Sequence, residues 1–178
     1  MQRIVILGNA GSGKSTLARA IGERLGLPVV HLDSLFWSPG WVEPDAEQFR
    51  TRVRDAVAPD AWVCEGNYAR RTFDLRLPRA DLIIWLDTPR LTCFTRVLVR
   101  SALNRPRPDL PAGCTEKLDR EFLTFLKYVW TFDRGSRPRI EAVRLAVGPQ
   151  VPVVHLRDGR EIEEFLGSLP AAPEGGLE

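Results

Sequence analysis

The chain has 178 residues, 44% of them hydrophobic and 27% charged, and its 25 basic and 23 acidic side chains leave a net charge of +2. That length suits one domain with a sizeable core, and so even a balance excludes a polybasic nucleic-acid binder. Three cysteines without a Cys-x-x-Cys pair speak against a disulfide framework or zinc site, and no apolar run approaches the ~18 residues of a membrane span.

The apolar run Ile4–Leu7 is too short for a signal-peptide core. A cytoplasmic protein with no membrane partner, monomeric or homodimeric, is the expectation. Arginine far outnumbers lysine. Its planar fork suits phosphate, although a GC-rich genome gives the same bias.

Short apolar runs at Arg3–Leu7, Pro28–Leu32, Ala61–Cys64, Leu82–Leu86 and Val151–Leu156 read as strands covered on both faces. Helical patterns lie between them. The first covers Lys14–Leu25. The second follows Asp45, with Gln48 completing a capping box. The third opens at Thr88-Pro89, a cap followed by a first-turn proline. Two more are expected between Thr115 and Ala146, and the last follows Asp158, with Glu161 as its box partner.

Strands alternating with helices give an α/β fold with a five-stranded parallel sheet. Residues 1–169 read as a single domain, with a lid-like helical insert at about 101–139 and a flexible tail over 170–178. In such a sheet the strand C-terminal ends share one edge, and ligands bind there. Gly8, Asp33, Glu65, Asp87 and Arg157 follow or end the successive strands, so polar groups from distant parts of the chain converge.

Gly8-Asn9-Ala10-Gly11-Ser12-Gly13-Lys14-Ser15-Thr16 contains Gly-x-x-x-x-Gly-Lys-Ser between a strand and a helix. Glycines let the backbone curl so that several N–H groups aim at one phosphate. The helix opening near Lys14 adds its positive end. Lys14 reaches the outer phosphates, and the Ser15 hydroxyl can ligate Mg²⁺. A nucleoside triphosphate site follows. The guanine-reading Asn-Lys-x-Asp pattern is absent from the sequence.

With that loop, the segments His31-Leu32-Asp33, Leu35-Phe36-Trp37, Glu65-Gly66-Asn67-Tyr68, Asp87-Thr88-Pro89, Arg105-Pro106-Arg107-Pro108-Asp109 and Arg137-Pro138 complete a pattern. It resembles the P-loop small-molecule kinases, which include adenylate, shikimate and gluconate kinases. More narrowly it looks like a bacterial adenylate-kinase-like family often labelled FlaR-related or DNA topology modulation proteins. The resemblance covers all but the tail, and no segment resembles a DNA-binding motif. It implies a three-layer, nucleoside-monophosphate-kinase-like fold, ATP and Mg²⁺ as cofactors, and a small-molecule acceptor.

The resemblance also implies roles. Adenylate kinases place a carboxylate followed by glycine beside the metal and phosphates, and Glu65-Gly66 stands there. The narrower family usually carries aspartate, so Glu65 departs by one methylene. The alternative is a structural carboxylate. Arg96 and Arg100 lie nine and thirteen residues after Asp87, the expected spacing on one helix face. Arg96 would stack on the base and Arg100 would neutralise transition-state charge. Asp87 itself reads as structural, and the backbone near Arg157 would meet the adenine edge.

Lid arginines would complete the site. Arg105, Arg107, Arg120, Arg134, Arg137 and Arg139 are available, with Arg120 and Arg134 the preferred pair. The aromatic series Phe122, Phe125, Tyr128, Trp130 and Phe132 reads as helix core, and His31 and His155 as hydrogen-bonded or core histidines. In related kinases an aspartate at the end of the second strand orients or deprotonates an acceptor hydroxyl. Asp33 stands there as catalytic base or loop cap. Arg70 or Arg71 would bind an acceptor phosphate. Trp37 floors that pocket or packs under its loop.

The leading expectation is an ATP-dependent kinase of a nucleoside monophosphate or another small metabolite. The rival is a nucleotide-dependent switch or weak NTPase working on a macromolecular partner.

Overall fold

The computed structural model describes residues 1–103 and 119–170. Its strands are β1 (Arg3–Gly8), β2 (Val29–His31), β3 (Trp62–Glu65), β4 (Leu82–Leu86) and β5 (Val153–Leu156). Its helices are α1 (Lys14–Leu25), α2 (Leu32–Phe36), α3 (Ala46–Ala56), α4 (Ala69–Arg76), α5 (Arg90–Ala102), α6 (Arg120–Val147) and α7 (Gly159–Ser168). The expected tail and part of the expected insert, including Arg105, Arg107 and the prolines near them, lie outside the described residues.

All five strands run parallel in the order β2-β3-β1-β4-β5. β1 is central because every residue from Ile4 to Leu7 is fully buried. The two-residue period sends Val5, Leu7, Trp62, Cys64, Ile83 and Trp85 to one face, where they pack with Phe49, Phe73, Phe132 and Ile140 from α3, α4 and α6. Ile4, Ile6, Val63, Ile84 and Leu86 point the other way, onto Leu17, Ala18 and Ile21 of α1. Burial of each such large apolar side chain contributes about 1.5–3 kcal/mol. α5 and α6 close a third cluster around Cys93, Val97, Phe122, Leu126 and Val129.

The register matters for the site. Ile6 pairs with Glu65 and Gly8 with Leu86. The loop after β1 is thereby seated between the ends of β3 and β4.

Several elements differ from expectation. β2 ends at His31, and Leu32 already belongs to the unforeseen α2. α4 is also unforeseen. Only one helix, 28 residues long, occupies the described part of the segment expected to hold two, and it carries Pro138 inside. The carbonyl that Pro138 leaves without a donor belongs to Arg134. Both residues are exposed, so water can satisfy that group. Pro89, not Thr88, is the N-cap position of α5. The Thr88 hydroxyl instead donates to the carbonyl of Ser12 at 3.0 Å. Asp45 and Asp158 cap α3 and α7 as expected.

Among the described residues no helix is long and apolar enough to cross a membrane.

Candidate active site

The loop from Gly8 to Gly13 joins β1 directly to α1. Its glycines serve different ends. Gly13 has φ +102, and its space is open apart from Arg96 Nη1 at 3.8 Å, so backbone conformation excludes a side chain there. Gly11 has φ +78, and a Cβ on it would also lie 2.5 Å from the carbonyl oxygen of Cys93. The first-turn amides of α1 have no intrahelical partner by construction, so they present donors to an anion.

Other contacts brace this loop. Buried Asn9 accepts from the amide of Ala10 and donates to the carbonyl of Val129 in α6, both at 2.8 Å. The Lys14 ammonium donates to the carbonyl of Asn9 at 2.8 Å, curled back across the loop. Arg96 Nη1 lies 3.5 Å from the carbonyls of Gly11 and Ser12. The guanidinium expected to meet the base is therefore beside the phosphate loop, on the exposed side. Arg100 is half-buried one turn further along α5, and Thr16 is exposed in the first turn of α1.

Ser15 and Glu65, the two expected metal residues, do meet. The Ser15 hydroxyl donates to Glu65 Oε1 at 3.1 Å, and His31 Nδ1 is 2.9 Å from the same oxygen. Glu65 is only 3% exposed, so both contacts are shielded from water. A hydroxyl and a carboxylate are hard oxygen donors that suit Mg²⁺. No group of three or more His, Cys, Asp or Glu positioned for a metal occurs among the described residues. The pair fits a cation that takes most ligands from phosphate and water, as Mg²⁺ does.

The residues expected on the acceptor side gather around the turn after β3. The side-chain amide of Asn67 accepts from the amide of Gly8 at 3.2 Å and donates to the carbonyl of Gly8 at 2.9 Å. Tyr68 donates its hydroxyl to Asp33 Oδ1 at 2.8 Å. Burial, then the charge of Asp33, push this phenol well above its ordinary range.

Beside these residues a pocket of about 330 Å³ opens between α4 and α6, lined by Asn67, Tyr68, Arg70, Tyr128, Ser136 and Arg139 among others. Burial raises the Tyr128 phenol, with Asn67 and Ser136 pulling the other way. The two candidate acceptor arginines differ. Arg71 lines the pocket but also stacks over Phe36 at 4.9 Å and lies 3.8 Å from Glu43. Arg70 is exposed on the first turn of α4. Trp37 packs edge-on against Phe36 and Trp41, at 4.8 and 5.1 Å, and is absent from the pocket lining.

Of the arginines expected to serve a lid, Arg105 and Arg107 lie outside the described residues. Arg120 and Arg134 are exposed on α6, and among the described residues no contact draws either toward the loop. Arg137 pairs with Asp87 at 2.6 Å and lies over Trp85, while His155 Nδ1 takes the other Asp87 oxygen at 2.7 Å. Asp87 is thus a structural tie. Among the described members of this set, Arg139 lines the pocket.

The aromatic series is only partly core. Phe122 and Phe132 are buried, whereas Tyr128 lines the pocket and Trp130 is 42% exposed under the guanidinium of Arg90. The amide of Arg157 is taken by Glu161 Oε2 at 2.7 Å, in the capping of α7. Sequence reasoning assigned no role to Asn67 and none to Arg76. The tetrapeptide Glu65-Gly66-Asn67-Tyr68 was the available signal for Asn67.

A phosphate-binding loop at the switch point of a parallel sheet, with a hydroxyl–carboxylate pair beneath it, defines a nucleotide-binding P-loop protein. No protein-family model matches the chain. It is 30% identical over 164 residues to adenylate kinase 2 of Nostoc sp., covering 76% of this chain and 86% of the relative. It is 32% identical over 123 residues to shikimate kinase of Symbiobacterium thermophilum, covering 58% of this chain and 67% of the relative. The chain belongs to the P-loop small-molecule kinases, the family of adenylate and shikimate kinases. It is a phosphotransferase.

Solved structures agree on the fold. Shikimate kinase from Acinetobacter baumannii, in complex with shikimate, gives a TM-score of 0.56 at 17% identity, over 94% of this chain and 89% of that one. A gluconokinase from Sinorhizobium meliloti 1021 gives 0.56 at 19% identity, over 93% and 91%.

Proposed function

We propose that this protein transfers the terminal phosphoryl group of ATP to a small anionic acceptor bound between α4 and α6. The observation that carries the reading is the position of the pocket. Asn67 lines it and also holds Gly8 of the phosphate loop, so donor and acceptor share one wall.

Arg70, Arg71 and Arg139 line this pocket with no carboxylate among its walls. Guanidinium groups bind carboxylate or phosphate through paired donors. An acceptor with such a group fits better than a neutral one. A nucleoside monophosphate and a phosphorylated or carboxylated hydroxy metabolite both qualify, and the relatives' names, adenylate and shikimate kinase, include both kinds.

Lys14 and the loop amides hold the donor phosphates, and Arg96 and Arg100 stand on the adjoining helix. Ser15, with Glu65 behind it, would hold Mg²⁺, which supplies neutralisation of phosphate charge. Asp33 is outside the pocket lining but hydrogen-bonded to Tyr68, which is part of it, and from there it would take the proton of an attacking hydroxyl that reaches past Tyr68. An acceptor that attacks through phosphate needs no such base. The narrower likeness to FlaR-related proteins belongs to this proposal as well, without a role for DNA.

The test is ADP release in a coupled assay across nucleoside monophosphates, sugars and small hydroxy acids. Stimulation by an anionic acceptor supports the proposal. Slow hydrolysis indifferent to every small acceptor, yet stimulated by DNA or protein, contradicts it and favours a macromolecular switch.

A further inference from the structure

Arg76, at the end of α4, has no solvent exposure. A buried guanidinium is normally paired with a carboxylate, because its desolvation is otherwise uncompensated. Here its hydrogen-bond partners are all neutral. Nε donates to Thr72 Oγ1 at 3.1 Å, Nη1 to the carbonyl of Gly66 at 3.1 Å and toward Cys64 Sγ at 3.7 Å, and Nη2 to the carbonyl of Asn67 at 2.7 Å. The ring of Phe73 lies 5.1 Å from the charge. Among the described residues no ion pair involves it.

Three of those four contacts fall on Cys64, Gly66 and Asn67. Cys64 lies in β3, and the turn that follows it through Gly66 and Asn67 holds an uncommon backbone. Gly66 has φ +122 and Tyr68, a bulky residue, has φ +36. Such conformations persist only where surrounding contacts impose them. From this one turn Glu65 reaches Ser15, Asn67 reaches Gly8, and Tyr68 reaches Asp33. The first two belong to the donor side and the third to the acceptor side.

We propose that Arg76 is a positioning residue that holds the Glu65–Tyr68 turn in the shape that keeps the phosphate loop and the acceptor carboxylate in register. It acts through Asn67 on the nucleotide and through Tyr68 on Asp33, and touches neither substrate.

The experiment is a double-mutant cycle read by calorimetry with MgADP, on the full chain well below its melting temperature. Arg76→Lys, Arg76→Met, Asn67→Ala and Arg76→Lys/Asn67→Ala are compared. Lysine cannot span both carbonyls, so Arg76→Lys and Asn67→Ala each weaken MgADP roughly tenfold. If Arg76 works through Asn67, the double variant binds within about twofold of Asn67→Ala alone, the non-additivity expected of coupled residues.

A merely structural arginine lowers the melting temperature and leaves the affinity of the folded protein unmoved. That result in Arg76→Lys overturns the proposal, and so do losses that multiply in the double variant. Should Arg76→Met fail to fold, Arg76→Lys decides. Wild-type protein that binds no MgADP sinks the nucleotide-site reading and this proposal together. Wild-type binding with unmoved variants sinks this proposal alone.

Discussion

Ser15 and Glu65 are fifty residues apart in sequence and 3.1 Å apart in space, joined by one hydrogen bond under the phosphate loop. The register of β1 against β3 puts them there, since Ile6 pairs with Glu65 itself. Glu65→Gln keeps the volume and an acceptor for Ser15 but removes the charge. The expected result is that the gain in ADP affinity from Mg²⁺ falls by about 10–100-fold. Calorimetry with and without Mg²⁺ measures this directly. An undiminished metal effect would place the cation elsewhere.

Gly11 and Gly135 should respond in opposite senses to the same change. A Cβ at Gly11 meets backbone 2.5 Å away at φ +78, whereas Gly135, inside α6, has open space within 4 Å. Gly11→Ala should destabilise the fold by roughly 1–3 kcal/mol and abolish ADP binding. Gly135→Ala should stabilise it by about 0.5–1 kcal/mol, because alanine has the better helix propensity. Chemical denaturation of both variants checks the pair.

The contrast between these glycines shows what the sequence made legible. The phosphate loop was readable because each of its parts is a local requirement within nine consecutive residues. The sheet was readable because doubly covered strands are continuous apolar runs. Asn67 and Arg76 were not readable. The contacts that tie them to the site fall on the backbone of Gly8, Gly66 and Asn67, and backbone partners leave no mark on composition or spacing. Which α6 arginine lines the pocket was not readable for a related reason. Arg134, Arg137 and Arg139 point different ways from one helix, and only the packing of α6 against α4 and β4 decides which meets the pocket.

Asp33 is the test of the acceptor side. Asp33→Asn should lower turnover with a hydroxyl acceptor by about 10²–10⁴-fold while leaving MgADP affinity unchanged. Tyr68→Phe, which removes only the orienting hydrogen bond, should lower it less. Both are read as acceptor-dependent ADP release. Equal turnover in Asp33→Asn would reassign this carboxylate to loop capping.

Asp81 sets an acid limb of stability. Burial disfavours its charge, but the amides of Gln2 and Arg3 and the guanidinium of Arg3 together hold the carboxyl below its ordinary value of 3.8. A depressed folded value contributes stability that is complete above the unfolded value and lost as pH falls through the folded one. Asp81→Asn should therefore cost about 1–2 kcal/mol at neutral pH. The difference from wild type should shrink as pH drops below about 3.8. Urea unfolding along a pH series measures it, and a difference that persists at low pH would contradict the assignment.

The central claim is that the terminal phosphoryl group of ATP leaves for a small anionic acceptor rather than for water. Phosphorus NMR of a reaction containing MgATP and a mixture of nucleoside monophosphates and hydroxy acids follows its fate. The account predicts a new phosphoester or phosphoanhydride resonance that is absent with Lys14→Ala and strongly reduced with Arg139→Ala. Inorganic phosphate as the sole product, at a rate no acceptor changes, would contradict it.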